Sequence, residues 1–178
     1  FQLGMGLGPL QAGLAAAPQA VGMIVGFVLS QVLGLSRRTM FIGFGTVAAG
    51  LTALIVLMTI VSVGLTVWPL LIPLTLVGIG MGLAIAPFFD IVLAGVHDNE
   101  VGSASGSLTA VQQLGNAVGV AALGTIFFTV LTGTAADEAA YAHALSTALG
   151  WAIGLIVLAS VITVFLPRRA RDNAEQIH

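Results

Sequence analysis

Five stretches of this sequence, at about residues 9–33, 39–61, 68–96, 103–131 and 144–166, are nearly uninterrupted runs of apolar and small residues. A bilayer core of about 30 Å is crossed by about 20 helical residues, or somewhat more when the helix tilts. Each run is long enough to cross, and few residues are left for anything else. Helices satisfy their backbone hydrogen bonds within themselves, so the chain is expected to be an all-α membrane protein with five transmembrane helices. The composition agrees: 58% of residues are hydrophobic and 7% are charged, with mean hydropathy +1.10. A soluble domain spends about a quarter of its residues on charge.

The connections are short and polar or glycine-containing. They are Gly34-Leu35-Ser36-Arg37-Arg38, Ser62-Val63-Gly64-Leu65-Thr66, His97-Asp98-Asn99-Glu100-Val101-Gly102, and Thr132 to His143. Short connections predict that consecutive helices are antiparallel neighbours. The arginines give the orientation, because Lys and Arg near span ends stay on the cytoplasmic side. Arg37 and Arg38 lie between the first two spans, and Arg168, Arg169 and Arg171 lie in the tail 167–178. An even number of spans separates the two groups, so both fall on the cytoplasmic face. Residues 1–8 are then outside. With Phe1 in place of Met and no signal-peptide pattern, the chain is expected to be the later part of a longer protein.

Several function classes are excluded on composition. Five basic residues against seven acidic ones offer no field for nucleic acid. Without Cys there is no disulfide, thiolate metal site or thiol nucleophile. No Ser/His/Asp set, paired carboxylates or HExxH motif points to catalysis, and no cofactor is expected. His97, Asp98, Asn99 and Glu100 are too crowded on one turn to surround a metal ion and read as turn and capping residues. Asp137, Glu138, Tyr141 and His143 read as a solvated outer loop. Trp68 suits the outer interface, and Pro69 and Pro73 suit the first turns of the third span.

The fourth span is the most informative. With Thr109 at zero and about 100° per residue, Ser105 falls at about 320°, Gln112 at about 300°, Gln113 at about 40° and Asn116 at about 340°. The five polar side chains share an arc of about 100°, and Asn116 lies about 20 Å from the start of the run at Ser103. Unsatisfied amides facing lipid would each cost a few kcal/mol, so this stripe must face protein or water. It is either interhelical glue or the wall of an aqueous substrate cavity.

Gly22 and Gly26, Gly115 and Gly119, and Gly150 and Gly154 are spaced for close helix packing. Gly78, Gly80 and Gly82 lack the spacing and the preceding strand of a nucleotide loop. Followed by Pro87, which removes a backbone bond, they are expected to bend the third span. Asp90 is the one acid within a predicted span. It is a candidate for proton or cation handling, against a simpler interfacial placement about 9 Å from the end of the run.

These residues resemble a known family. Gly8-Pro9-Leu10-Gln11-Ala12-Gly13-Leu14, ending at Pro18, resembles a late helix of the fourteen-span drug:proton antiporters of the major facilitator superfamily, the EmrB/QacA type. Gly78-Ile79-Gly80-Met81-Gly82 through Pro87, then Val92-Leu93-Ala94-Gly95-Val96, is similar to the glycine-rich helix two spans on. The most specific block is Gly102-Ser103-Ala104-Ser105-Gly106, continuing through Gln112-Gln113-Leu114-Gly115-Asn116-Ala117-Val118-Gly119-Val120 to Leu123-Gly124-Thr125. The resemblance implies the last five helices of a C-terminal six-helix half, with the N-terminal half as a missing partner. The loop Gln31 to Arg38 departs from many relatives in having no acid, so no charge-relay latch is carried over.

The resemblance further implies alternating access about a midplane cavity, with drugs or other small molecules exported from a bacterial cytoplasmic membrane in exchange for protons. Ser105, Thr109, Gln112, Gln113 and Asn116 would contribute to that cavity. The main proton-coupling residues are expected in the N-terminal half. Two rivals are a non-transporting membrane assembly subunit, whose polar residues serve only packing, and an intramembrane enzyme, which lacks a nucleophile and base.

Overall fold

A computed structural model describes residues 8–60, 68–97, 99–132 and 138–166. They form α1 (Pro9–Leu33), α2 (Arg37–Ile60), α3 (Leu71–Leu93), α4 (Val101–Thr132) and α5 (Glu138–Thr163), with a 3-10 turn at Trp68–Leu70 leading into α3. All five helices are long and apolar enough to cross a membrane. Arg168, Arg169, Arg171, Asp98 and Asp137 lie outside the described residues.

Local chemistry sets the helix ends and explains where they depart from the apolar runs. Pro9 takes the first position of α1, where its missing N–H costs nothing, and the Gly8 N–H is satisfied by Gln11 Oε1 at 3.1 Å. Gly34 ends α1 with φ of 85°, a conformation that a side chain would strain. The second apolar run begins at Thr39, yet α2 begins at Arg37, because Ser36 acts as its cap. Ser36 Oγ accepts the Thr39 N–H at 3.4 Å, and Thr39 Oγ1 donates to the Gly34 carbonyl at 2.6 Å.

The third run continues to Val96, but α3 stops at Leu93 and closes into a tight turn, with the Val96 N–H bonded to the Leu93 carbonyl at 3.0 Å. The largest difference is at α5. Its apolar run begins at Ala144, but the helix starts at Glu138, a turn and a half earlier. Ala139, Ala140 and Ala142 are strong helix formers and carry the helix beyond the apolar stretch. Tyr141 and His143 therefore sit on the first turns of α5, not in a loop. The Tyr141 ring lies 6.4 Å from that of Phe127 on α4.

Packing order differs from chain order. α3 lies between α1 and α2, α2 lies between α3 and α5, and α5 lies between α2 and α4. The expectation that all consecutive helices are neighbours holds for α2 with α3 and for α4 with α5. It fails for α1 with α2, and α3 touches α4 only slightly. Glycine placement on α1 and α3 gives the physical reason. A Cβ on Gly22 would overlap the Thr75 carbonyl oxygen, and one on Gly26 the Ile79 carbonyl oxygen. Conversely, Gly78 and Gly82 receive the carbonyl oxygens of Gln19 and Met23. The two backbones meet through Cα–H groups and carbonyls, which α2 does not offer to α1.

Gly80 points the other way, toward α2. A Cβ there would lie 2.6 Å from the Gly43 carbonyl oxygen, and one on Gly43 would lie 2.7 Å from that of Gly80. Further along the same contact, Leu51, Leu54 and Met58 of α2 pack with Leu70, Leu74 and Val77, and α5 covers them with Leu145, Leu149 and Ile153. Burying side chains of this size stabilises by about 1.5–3 kcal/mol each when measured against water. In lipid that drive is lost, and close backbone contact takes over.

Candidate functional site

α4 differs from the other helices in its surroundings. None of its residues is buried, and its one substantial contact is with α5. Its half-buried positions include Ser105, Leu108, Gln112, Gly119, Leu123 and Phe127, spaced three, four or seven residues apart as one helical face, and Phe127 meets Tyr141 of α5. The polar stripe lies across the border of this face. Ser105 and Gln112 are half-buried, whereas Thr109, Gln113 and Asn116 are exposed.

The hydroxyl and amide side chains fare differently. Thr109 Oγ1 donates back to the Ser105 carbonyl at 2.8 Å, so it is satisfied within its own helix. Gln112, Gln113 and Asn116 make no side-chain hydrogen bond to another described residue. An amide offers two N–H donors and a carbonyl acceptor, so the three form an open hydrogen-bonding surface. Asn116 lies about 22 Å along the helix from Val101 and about 16 Å from Phe127, near the middle of α4. Among the described residues no side-chain hydrogen bond joins the stripe to another helix. A Cβ on Gly115 or Gly119, on the same helix, would meet nothing within 4 Å, unlike one on Gly22 or Gly26. Gly150 and Gly154 on α5 are open in the same sense.

Asp90 is half-buried on the last turn of α3. Because the helix stops at Leu93, Asp90 is about 4.5 Å from its end, closer than the apolar run suggested. Among the described residues its carboxylate has no ion-pair or hydrogen-bond partner; its backbone carbonyl accepts the Ala94 N–H at 3.1 Å. Gly78, Gly80 and Gly82 serve as contact surfaces for α1 and α2, and α3 stays helical through the buried Pro87. No group of three or more His, Cys, Asp or Glu side chains able to hold a metal ion occurs among the described residues.

Arg37 stands in the first turn of α2, where a helix dipole disfavours a cation. Its guanidinium instead reaches the end of α5, where Nη1 donates to the carbonyls of Val164 at 2.5 Å and Leu166 at 3.0 Å. Free carbonyls at a helix C-terminus attract positive charge. The contact brings the start of α2 and the end of α5 to one side of the bundle, as an even number of crossings requires. Arg38 is exposed and makes no ion pair with a described residue.

One polar residue was not prominent in the sequence. Gln19, in the middle of α1, is half-buried against α3 and its Nε2 donates to Met81 Sδ at 3.6 Å. The other two amides of the run, Gln11 and Gln31, fall about 80° and 120° around the helix from it on opposite sides, so there is no amide stripe to detect and periodicity had no means of finding it.

No family model matches the chain. It is 46% identical over 134 residues to the probable actinorhodin transporter of Streptomyces coelicolor, a match covering 74% of this chain and 23% of that protein. It is 27% identical over 179 residues to a puromycin resistance protein of Streptomyces alboniger, covering 94% of this chain and 36% of the relative. A tetracycline resistance determinant of Streptomyces rimosus is 26% identical over 141 residues, covering 77% of this chain and 40% of the relative. The chain thus spans well under half the length of these curated relatives.

Proposed function

Because the chain belongs to the major facilitator drug exporters, multi-pass proteins of the bacterial cytoplasmic membrane, we propose that it is the C-terminal part of a proton-coupled efflux transporter. The relatives' names refer to actinorhodin, puromycin and tetracycline. By extension, the exported compounds are antibiotic-like small molecules. A preceding N-terminal half supplies the other wall of the cavity and the main proton-coupling groups. The two halves rock about a central site and expose it to each side in turn.

One observation carries the assignment of the cavity wall: the amides of Gln112, Gln113 and Asn116 lie within a membrane-spanning helix and are unbonded among the described residues. Such groups need water, a substrate or another helix. An apolar wall with a few adaptable amides suits broad substrate choice. Ser105 and Thr109 extend the same face toward the Arg37 end. That end, with Arg37, Arg38 and the tail arginines, is cytoplasmic by the positive-inside rule, which puts residues 1–8 outside. Asp90, on the last turn of α3 near that end, takes part in proton or cation handling, and the Gly78 to Pro87 segment provides the bend that lets α3 follow the rocking.

Replacement of Gln112 and Asn116 by Leu in the full-length protein tests the cavity assignment. Altered substrate range with normal protein levels is the expected result. Unchanged resistance across all exported compounds would remove these residues from the cavity and leave them a role in helix packing alone.

A further inference from the structure

We infer that Gln19 on α1 is a second polar contact of the export cavity, one that selects for compounds carrying hydrogen-bonding groups. The inference rests on the cavity reading of α4 and adds a residue from a different helix. A thioether is a weak acceptor, so the bond from Gln19 Nε2 to Met81 Sδ satisfies the amide poorly. Its Oε1 has no donor among the described residues, and the side chain is half-exposed. An amide this weakly partnered within a span is costly unless it meets water or a ligand. Packing does not require it, since small residues, Ala15, Gly22 and Gly26, make the surrounding contact with α3.

The level of Gln19 in the membrane gives the second support. Leu33 and Val101 both lie at the end of the bundle marked by Arg37, because α1 turns into α2 there and α3 turns into α4 there. Gln19 is about 21 Å along α1 from Leu33, and Asn116 is about 22 Å along α4 from Val101. Met81 is about 18 Å along α3 from Leu93. The amides of α1 and α4 therefore share one depth, and the two helices do not pack against each other. A substrate held at that depth meets Gln19 from one side and Asn116 from the other.

The test uses the full-length protein in inside-out vesicles, with tetracycline as a probe rich in hydrogen-bonding groups and tetraphenylphosphonium as one with none. Gln19→Leu is expected to raise KM for tetracycline by about three- to tenfold, the worth of one neutral hydrogen bond, and to leave KM for tetraphenylphosphonium and both maximal rates unchanged. Gln19→Asn should recover part of the loss. Equal loss for both probes, or no change for either, would overturn the inference.

A second measurement does not depend on transport. The chain has no Cys, so Gln19→Cys in a background cleared of any other thiols reports water access directly. A membrane-impermeant methanethiosulfonate reagent should label this variant, and tetracycline should slow the labelling. Val21→Cys, 58% exposed and about 200° around α1 from Gln19, should stay unlabelled. No labelling at position 19 overturns the inference even if export is normal. Labelling of position 19 in a protein that moves neither probe would leave the polar site standing and remove the export reading alone.

Discussion

Gly26 of α1 and Ile79 of α3 meet backbone to backbone, the Ile79 carbonyl oxygen occupying the space that a side chain on Gly26 would need. The opposing atoms are main chain and cannot swing aside as a flexible side chain would. Gly26→Ala is therefore expected to destabilise the full-length protein by about 1–3 kcal/mol, the range for overpacking a close contact. Gly45→Ala on α2, with nothing within 4 Å, should be neutral or slightly stabilising. Thermal unfolding in detergent, followed by circular dichroism, separates the two; equal effects would contradict the contact.

Arg37 acts at a distance from its own helix. Arg37→Ala removes the donor to the Val164 and Leu166 carbonyls and should loosen the end of α5. The site is partly exposed, so the expected cost is about 1 kcal/mol, below the usual range for a charged hydrogen bond. Faster amide exchange at residues 163–166, with α1 unaffected, is the predicted signature. Arg37→Lys should recover only part of the protection, since a single ammonium does not reproduce a planar guanidinium.

Asp90→Asn keeps the shape of the side chain and removes its ability to carry a proton. Drug uptake driven by a pH gradient is expected to fall several-fold in this variant and to lose much of its pH dependence in vesicles, with binding of the drug retained. Flux with an unaltered pH profile would make the carboxylate a surface-level group at the end of α3.

Membrane topology can be read with tags. An epitope inserted between Ile60 and Trp68 should be reached by antibody from outside the cell, and one fused after Leu166 only after permeabilisation. The Arg37 contact with Leu166 requires that a tag at the connection between α1 and α2 behave like the second of these. Any other pattern would invert or break the proposed orientation.

Much of the architecture was legible because membrane crossing leaves a strong signal. Apolar runs over 9–33 and 68–96 already contain α1 and α3, and errors concentrate at ends where a local bond decides, such as the Ser36 cap and the alanines before Ala144. Neighbour relations were much less legible. Gly22 and Gly26 announce a close contact but not its partner, and the identical spacing of Gly150 and Gly154 has no neighbour among the described residues. Polar residues were found where they repeat on one face, as from Ser105 to Asn116. Gln19 was missed because no second amide repeats on its face of α1, and its placement beside Met81 is what singles it out.

α3 is held by backbone contacts on two faces, while the helix bearing the polar stripe leans on a single neighbour. Substitutions in α3 thus meet main-chain obstacles from both sides, and those on the open face of α4 meet none among the described residues. Changes that alter what is bound can accumulate in one helix without threatening the fold of the rest. Lineages that encounter new toxic compounds would find their workable variants on α4, and comparison of many relatives should show sequence turnover concentrated there and near-stasis along the glycines of α3.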